Sequence, residues 1–153
     1  MLGDGGPRTA LPLTAREALH PFLSSRLIGE SGIARVVAAF YARVPQDDLM
    51  RPMYLAGDLA GAEQRLRDFL IYRFGGPPRY IEQRGHPRLR ARHAPFVISQ
   101  AARDHWMQLM SEALAEAALP AEAEHVFQTF LDGIATFLIN HGDAGPRTER
   151  LNA

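Results

Sequence analysis

In the stretch RLRARHAPFVIS, residues 88–99, a single histidine follows a row of arginines and precedes Ala-Pro-Phe. An imidazole near neutral pH can lend a nitrogen lone pair to a metal or carry a proton, so His93 is the first residue to weigh for chemistry. His86-Pro87 has the pattern of a helix start, and Pro95 stops any helix near Ala94. On a helix over 86–93, steps of about 100° bring Leu89 and His86 almost onto the face of His93 and turn Arg88 and Arg92 away. One imidazole offered from a short helix toward an apolar core, with arginines close by for carboxylates, is a common way to hold haem iron. The plain alternative is a capping or surface histidine.

Other polar groups point the same way. Tyr41 falls in the middle of an apolar stripe, so its hydroxyl is expected to be buried and to need a partner. Trp106 falls on another inward stripe and brings an indole N–H that can only donate. Tyr54 closes the stretch Arg-Pro-Met-Tyr. Each alone reads as core filling. Together with His93 they describe a pocket whose ligand accepts hydrogen bonds.

Other chemistries find little support. There are no cysteines, which excludes disulfides, thiolate metal sites, a Cys nucleophile and covalent haem attachment through C-x-x-C-H. His105, His125 and His141 have no tidy metal spacing, and Glu122-Ala-Glu-His125 reads as a solvated helix start favoured by the helix dipole. G-x-S-x-G, a Walker loop and H-E-x-x-H are absent. A metal-dependent hydrolase therefore lacks its ligands. The 17 basic residues, all Arg, balance 17 acidic ones, which argues against nucleic acid as a partner. No apolar run approaches the roughly 20 residues of a membrane span, and the start MLGDGGPRTALP lacks the pattern of a signal peptide. The expectation is a cytoplasmic protein with no membrane partner.

These residues have to be positioned by helices. With 153 residues, 46% of them hydrophobic, the chain suits one domain with a real core. Apolar residues recur at helical spacing four times and strand patterns do not recur. The first stripe runs Ile33, Val36, Val37, Phe40, Tyr41, Val44 over 31–44, with Ser31 as its N-cap. The second, over 58–73, carries Leu59, Ala62, Leu66, Phe69 and Leu70 and ends at Gly75-Gly76-Pro77-Pro78. A third, over 99–118, is capped by Ser99 and carries Trp106, Leu109, Met110, Ala113, Leu114 and Ala117. The fourth, over 120–140, carries Val126, Phe127, Phe130, Leu131, Ile134, Phe137 and Leu138. A short amphipathic piece lies near Pro21–Ile28. The connector Gly75–Ile98 is too long for an ordinary loop in a helical domain, and it contains His93. Residues 1–13 read as a flexible lead-in, 14–141 as the domain and 142–153 as a tail.

The ordered set Phe40-Tyr41, Arg51-Pro-Met-Tyr54, Asp58-Leu-Ala-Gly-Ala62-Glu, Phe74-Gly-Gly-Pro, Gln83-Arg-Gly-His-Pro-Arg-Leu-Arg-Ala-Arg-His93-Ala-Pro-Phe96 and Trp106 resembles the group II truncated haemoglobins over about residues 21–140. The resemblance implies an all-α, truncated globin-like two-over-two helical sandwich around non-covalent haem b and its iron. It makes His93 the proximal iron ligand and Tyr41, Tyr54 and Trp106 the distal cluster that stabilises bound O2, CO or NO. Ala62 falls where classical globins place a distal histidine. Leu66 is implied to pack over the ligand with Phe69 behind it, Arg65 and Arg92 to meet the haem propionates, and Leu89, Phe96, Ile98 and Met107 to form haem walls. The chain departs from the pattern at Gly29-Glu30, where relatives often have Gly-Gly, and at Leu55-Ala56-Gly57, where an acidic stretch is usual.

Function then follows as sensing, storage or redox chemistry of O2 and NO, rather than bulk transport. NO dioxygenase or peroxidase-like activity would need an external reductase, because the sequence holds no flavin or nicotinamide module. A homodimer is left open. The competing reading is a haem-free helical interaction domain, dimerising through the third and fourth helices. It accounts for the stripes but not for three polar-tipped aromatics facing inward beside a histidine.

Overall fold

The computed structural model describes residues 28–54 and 57–142. The first apolar stripe forms α1, Gly29–Arg43, and Ile33, Val36, Val37, Phe40 and Tyr41 are all buried along it. The chain enters through Gly29 at φ +59°, a left-handed backbone that glycine adopts without steric penalty. The helix therefore starts earlier than expected, and Ser31 lies inside its first turn instead of capping it. Two short 3-10 turns follow, Val44–Gln46 and Arg51–Met53.

The second stripe forms α2, Leu59–Arg73. It closes where Gly75 turns to φ +91° and the Gly76 N–H donates to the Ile71 carbonyl at 2.9 Å. The long connector folds into two small helices, α3, Arg79–Arg84, and α4, Leu89–His93. The helix expected over 86–93 is thus shorter than its pattern suggested. Arg88 stands at φ +43° and its N–H donates to His86 Nδ1 at 3.2 Å, so the chain turns there and exposed His86 does not share a helical face with His93. The two long helices that remain are α5, Gln100–Ala117, and α6, Ala121–Phe137.

Among the described residues every regular element is helical. The helices form two pairs: α1 packs against α2, α5 packs against α6, and α1 lies across α5 to join them. Rings lock the pairs together. Phe74, just after α2, stacks on Phe127 of α6 with centroids 4.7 Å apart, and Phe40 of α1 meets Trp106 of α5 at 5.3 Å. Phe137, expected on the inward stripe of α6, is instead 48% exposed and is covered by the Arg90 guanidinium 4.0 Å from its centroid. Among the described residues no helix is long and apolar enough to cross a membrane. The expected lead-in 1–13, the piece 21–28 apart from Ile28, and the tail 142–153 apart from Gly142 lie outside the described residues.

Two local devices set the ends of this frame. The Ser99 hydroxyl accepts from the Ala102 N–H at 3.1 Å, as expected of an N-cap. Ser99→Ala is expected to cost about 1 kcal/mol, read as a lower urea midpoint with an unchanged slope. Asp47 holds the turn after α1: Oδ1 accepts from the N–H groups of Leu49 and Met50 at 3.0 and 2.8 Å, and Oδ2 lies 2.6 Å from His105 Nε2 of α5. Desolvation pushes this carboxyl up, but the Met50 N–H, the His105 ring and the Leu49 N–H outweigh it, and the net shift is downward. A carboxyl held low in the folded state adds stability above the ordinary carboxylate value, about 4, and loses it as pH falls through the lower folded value. Asp47→Asn should therefore be less stable than the unaltered protein at pH 7. The difference between their urea midpoints should close in strong acid.

Candidate functional site

One half of the α2 stripe does not behave like core. Phe69, Leu70 and Ile71 are buried, whereas Leu59, Ala62 and Leu66 are only half-buried. Ile134 and Leu138 at the end of α6 are half-buried too. Ala62, Leu66, Ile134 and Leu138 line a cavity of about 500 Å³ between α2, α4, α5 and the end of α6, a volume that suits a bound organic group.

His93 lines this cavity from the end of α4. Its Nδ1 lies 2.6 Å from the Leu89 carbonyl one turn back. A carbonyl only accepts, so Nδ1 carries the proton and the lone pair is left on Nε2. That is the tautomer and the fixed orientation of a histidine prepared to ligate a metal. Among the described residues no three His, Cys, Asp or Glu side chains converge as an all-protein metal site.

Across the cavity stand the three polar-tipped aromatics. Tyr41 and Tyr54 meet edge to face at 5.6 Å, and Trp106 lines the same wall. Burial, helped by the neighbouring Tyr54 hydroxyl, holds the Tyr41 hydroxyl far above its ordinary value. Burial also raises Tyr54, opposed by hydrogen bonds from Trp106 and Tyr41. Both phenols therefore stay protonated. The Trp106 indole N–H, which can only donate, and the Tyr41 hydroxyl both neighbour the Tyr54 hydroxyl on this wall.

The cavity also gathers Arg65, Leu66, Phe69, Leu89, Arg92, Phe96 and Ile98 beside Ala62. Met107, expected as a wall residue, is not part of the lining; it is buried in the core on α5. Arg92 faces the cavity rather than turning away, because Nε donates to the Pro87 carbonyl at 2.8 Å and Nη2 to the Arg84 carbonyl at 2.9 Å. Arg65 is paired with Asp58 at 2.7 Å. Sequence reasoning missed Arg84 and Arg103, which also line the cavity, and the contribution of α6 through Leu131, Ile134, Ala135 and Leu138. The α6 residues sit on an ordinary apolar stripe, and nothing in their types separates cavity wall from core. Leu55 and Ala56, part of the stretch where the sequence departs from the pattern it resembles, lie outside the described residues.

One prepared imidazole, apolar walls and several guanidinium groups suit a flat apolar ring system that carries a metal and carboxylates, which describes haem. Comparison with known proteins agrees. A family model described as bacterial-like globin matches residues 25–139. The group 2 truncated hemoglobin YjbI of Bacillus subtilis is 35% identical over 121 residues, covering 79% of this chain and 91% of that protein. The thermostable hemoglobin of the actinobacterium Thermobifida fusca superposes with a TM-score of 0.71 at 41% identity, over 84% of this chain and 98% of that one. The hemoglobin of the thermophilic phototroph Chloroflexus aurantiacus does so with a TM-score of 0.71 at 43% identity, over 75% and 94%. The two helix pairs are thus the two-over-two sandwich of these proteins, and the chain belongs to the group II truncated globins.

Proposed function

We propose that this chain holds haem b non-covalently, with His93 as the proximal iron ligand, and binds O2, CO or NO under Tyr41, Tyr54 and Trp106. Membership of the globins implies haem with iron and stands against the haem-free interaction domain. The observation that carries the site assignment is the His93 Nδ1–Leu89 bond, which prepares Nε2 as a ligand on the wall of a cavity large enough for the group. Haem held by His93 would supply an iron able to bind a diatomic gas.

The chain's own residues do the rest. Arg65 and Arg92 meet the propionates, while Leu66, Phe69, Leu89, Phe96 and Ile98 exclude water from the ring faces. Met107 supports them from the core. Ala62, standing where a classical globin has its distal histidine, leaves entry less blocked, so small ligands enter easily. The Tyr54 O–H and the Trp106 N–H donate to the ligand, and Tyr41, donating to Tyr54, keeps that hydroxyl turned outward. Donors fixed in advance favour a ligand that gathers negative charge, because no reorganisation is needed when it binds.

Slow release follows, and it suits sensing, storage or redox chemistry with O2 and NO in the cytoplasm better than bulk transport. Redox turnover of this kind would need an external reductase. Each such hydrogen bond contributes about 1–3 kcal/mol. Stopped-flow measurement of O2 release should therefore find Trp106→Phe and Tyr54→Phe each faster by roughly tenfold or more. Tyr41→Phe should change it less, because that hydroxyl acts through Tyr54. An unchanged rate in Trp106→Phe would make the indole core filling and remove it from the ligand site.

A further inference from the structure

The helix that presents His93 is too short to hold its own position. α4 has five residues, well below the dozen or so that make an isolated helix stable in water, so contacts outside it must set where it stands. Upstream, Arg92 anchors it to the Arg84 and Pro87 carbonyls. Downstream, one residue beyond the end of α6 makes most of the contacts. Asn140 Nδ2 donates to the Phe96 carbonyl at 2.8 Å and to the His93 carbonyl at 3.3 Å. Its Oδ1 accepts from the Ile98 N–H at 2.9 Å. Its own backbone N–H donates to the Ile98 carbonyl at 2.9 Å.

An asparagine amide offers two N–H donors and one carbonyl; here both donors and one bond to the oxygen go to the backbone of residues 93–98, and the oxygen also lies 2.6 Å from His141 Nδ1. Turning the amide over would set its oxygen against two carbonyls, so the partners fix its orientation. The His93 carbonyl and the turn that follows it are thereby tied to the end of α6, whose Ile134 and Leu138 form the neighbouring cavity wall.

We propose that Asn140 is the positioning residue for His93. By fixing the His93 carbonyl and residues 96–98, it sets how far the imidazole stands into the cavity relative to the α6 wall. This rests on the assignment of His93 as haem ligand. Without the Asn140 amide the downstream side keeps the Arg90 Nε bond to the Phe137 carbonyl at 3.2 Å and the backbone N–H bonds of residues 140 and 141 to the Ile98 carbonyl. None of these holds the His93 carbonyl, and the ring samples a range of heights and tilts.

Asn140→Asp tests this with almost no change in shape. It keeps the acceptor for the Ile98 N–H and turns both donors into an oxygen facing two carbonyls. In the haem-loaded ferrous protein the iron–histidine stretching band in resonance Raman should shift or broaden, which a general loss of stability does not cause. Transfer of haem to apomyoglobin should accelerate by about tenfold, the scale of losing hydrogen bonds of this kind. A band identical to that of the unaltered protein overturns the proposal. If the variant does not fold, amide exchange in the unaltered protein decides: an Ile98 N–H protected against exchange supports the tie, and exchange at the free-peptide rate overturns it. An unaltered protein with no iron–histidine band at all would remove the His93 assignment, and this proposal with it, so the two failures are told apart.

Discussion

A neutral imidazole has one nitrogen that donates and one that accepts, and the chemistry of this protein depends on which is which at His93. The Leu89 carbonyl 2.6 Å from Nδ1 decides it. With the proton held there, the Nε2 lone pair is left free and fixed in direction, as a metal ligand requires. The rest of the connector serves that arrangement. Arg88 in a left-handed conformation starts α4 at Leu89, so that Leu89 and His93 stand one turn apart. The carbonyl that orients the ring therefore belongs to the helix that carries it.

The opposite wall solves a different problem. Hydroxyl and indole groups buried without partners are costly, and this domain places three of them together. They stand side by side on one wall of the cavity, each polar end next to another. Its frame is rigid because α1 is buried along its whole apolar stripe and Phe40 holds both Tyr41, at 5.2 Å, and Trp106, at 5.3 Å. Asp47 tethers the turn leading to Tyr54 onto α5 through His105, which links the distal wall to the same helix that carries Trp106.

Much of this was legible in the chain. The four helices follow directly from stripes of Ile, Val, Leu and Phe at helical spacing, and the ends at Ser99 and Gly75-Gly76 follow from capping and turn chemistry. The membership of His93, Tyr41, Tyr54 and Trp106 in one site could be read from residue types whose polar ends have no place in a plain core. What stayed hidden depends on geometry that one-dimensional patterns do not contain. Helical periodicity continued back to His86, but the backbone turns at Arg88, and the Arg84 and Pro87 carbonyls beyond that turn draw the Arg92 side chain onto the cavity. Leu131 and Ile134 look like any core residue, because an apolar side chain is equally suited to a packed interior and to a cavity wall. Met107 shows the converse: the family resemblance implied a wall residue, but its place on the α5 turn sends it into the core. Asn140 lies just past a helix whose stripe had been extended through it, and its role appears only once residues 93–98 fold back onto that end.

The central claim is that His93 binds haem iron in this cavity. It is tested most directly by the visible absorption spectrum of the purified protein, as isolated and after dithionite under CO, beside His93→Ala. The account predicts a strong Soret band that moves on CO binding and is lost or badly altered in the variant. A colourless protein that fails to take up added haemin, or a variant whose ferrous and CO spectra match those of the unaltered protein, would contradict it.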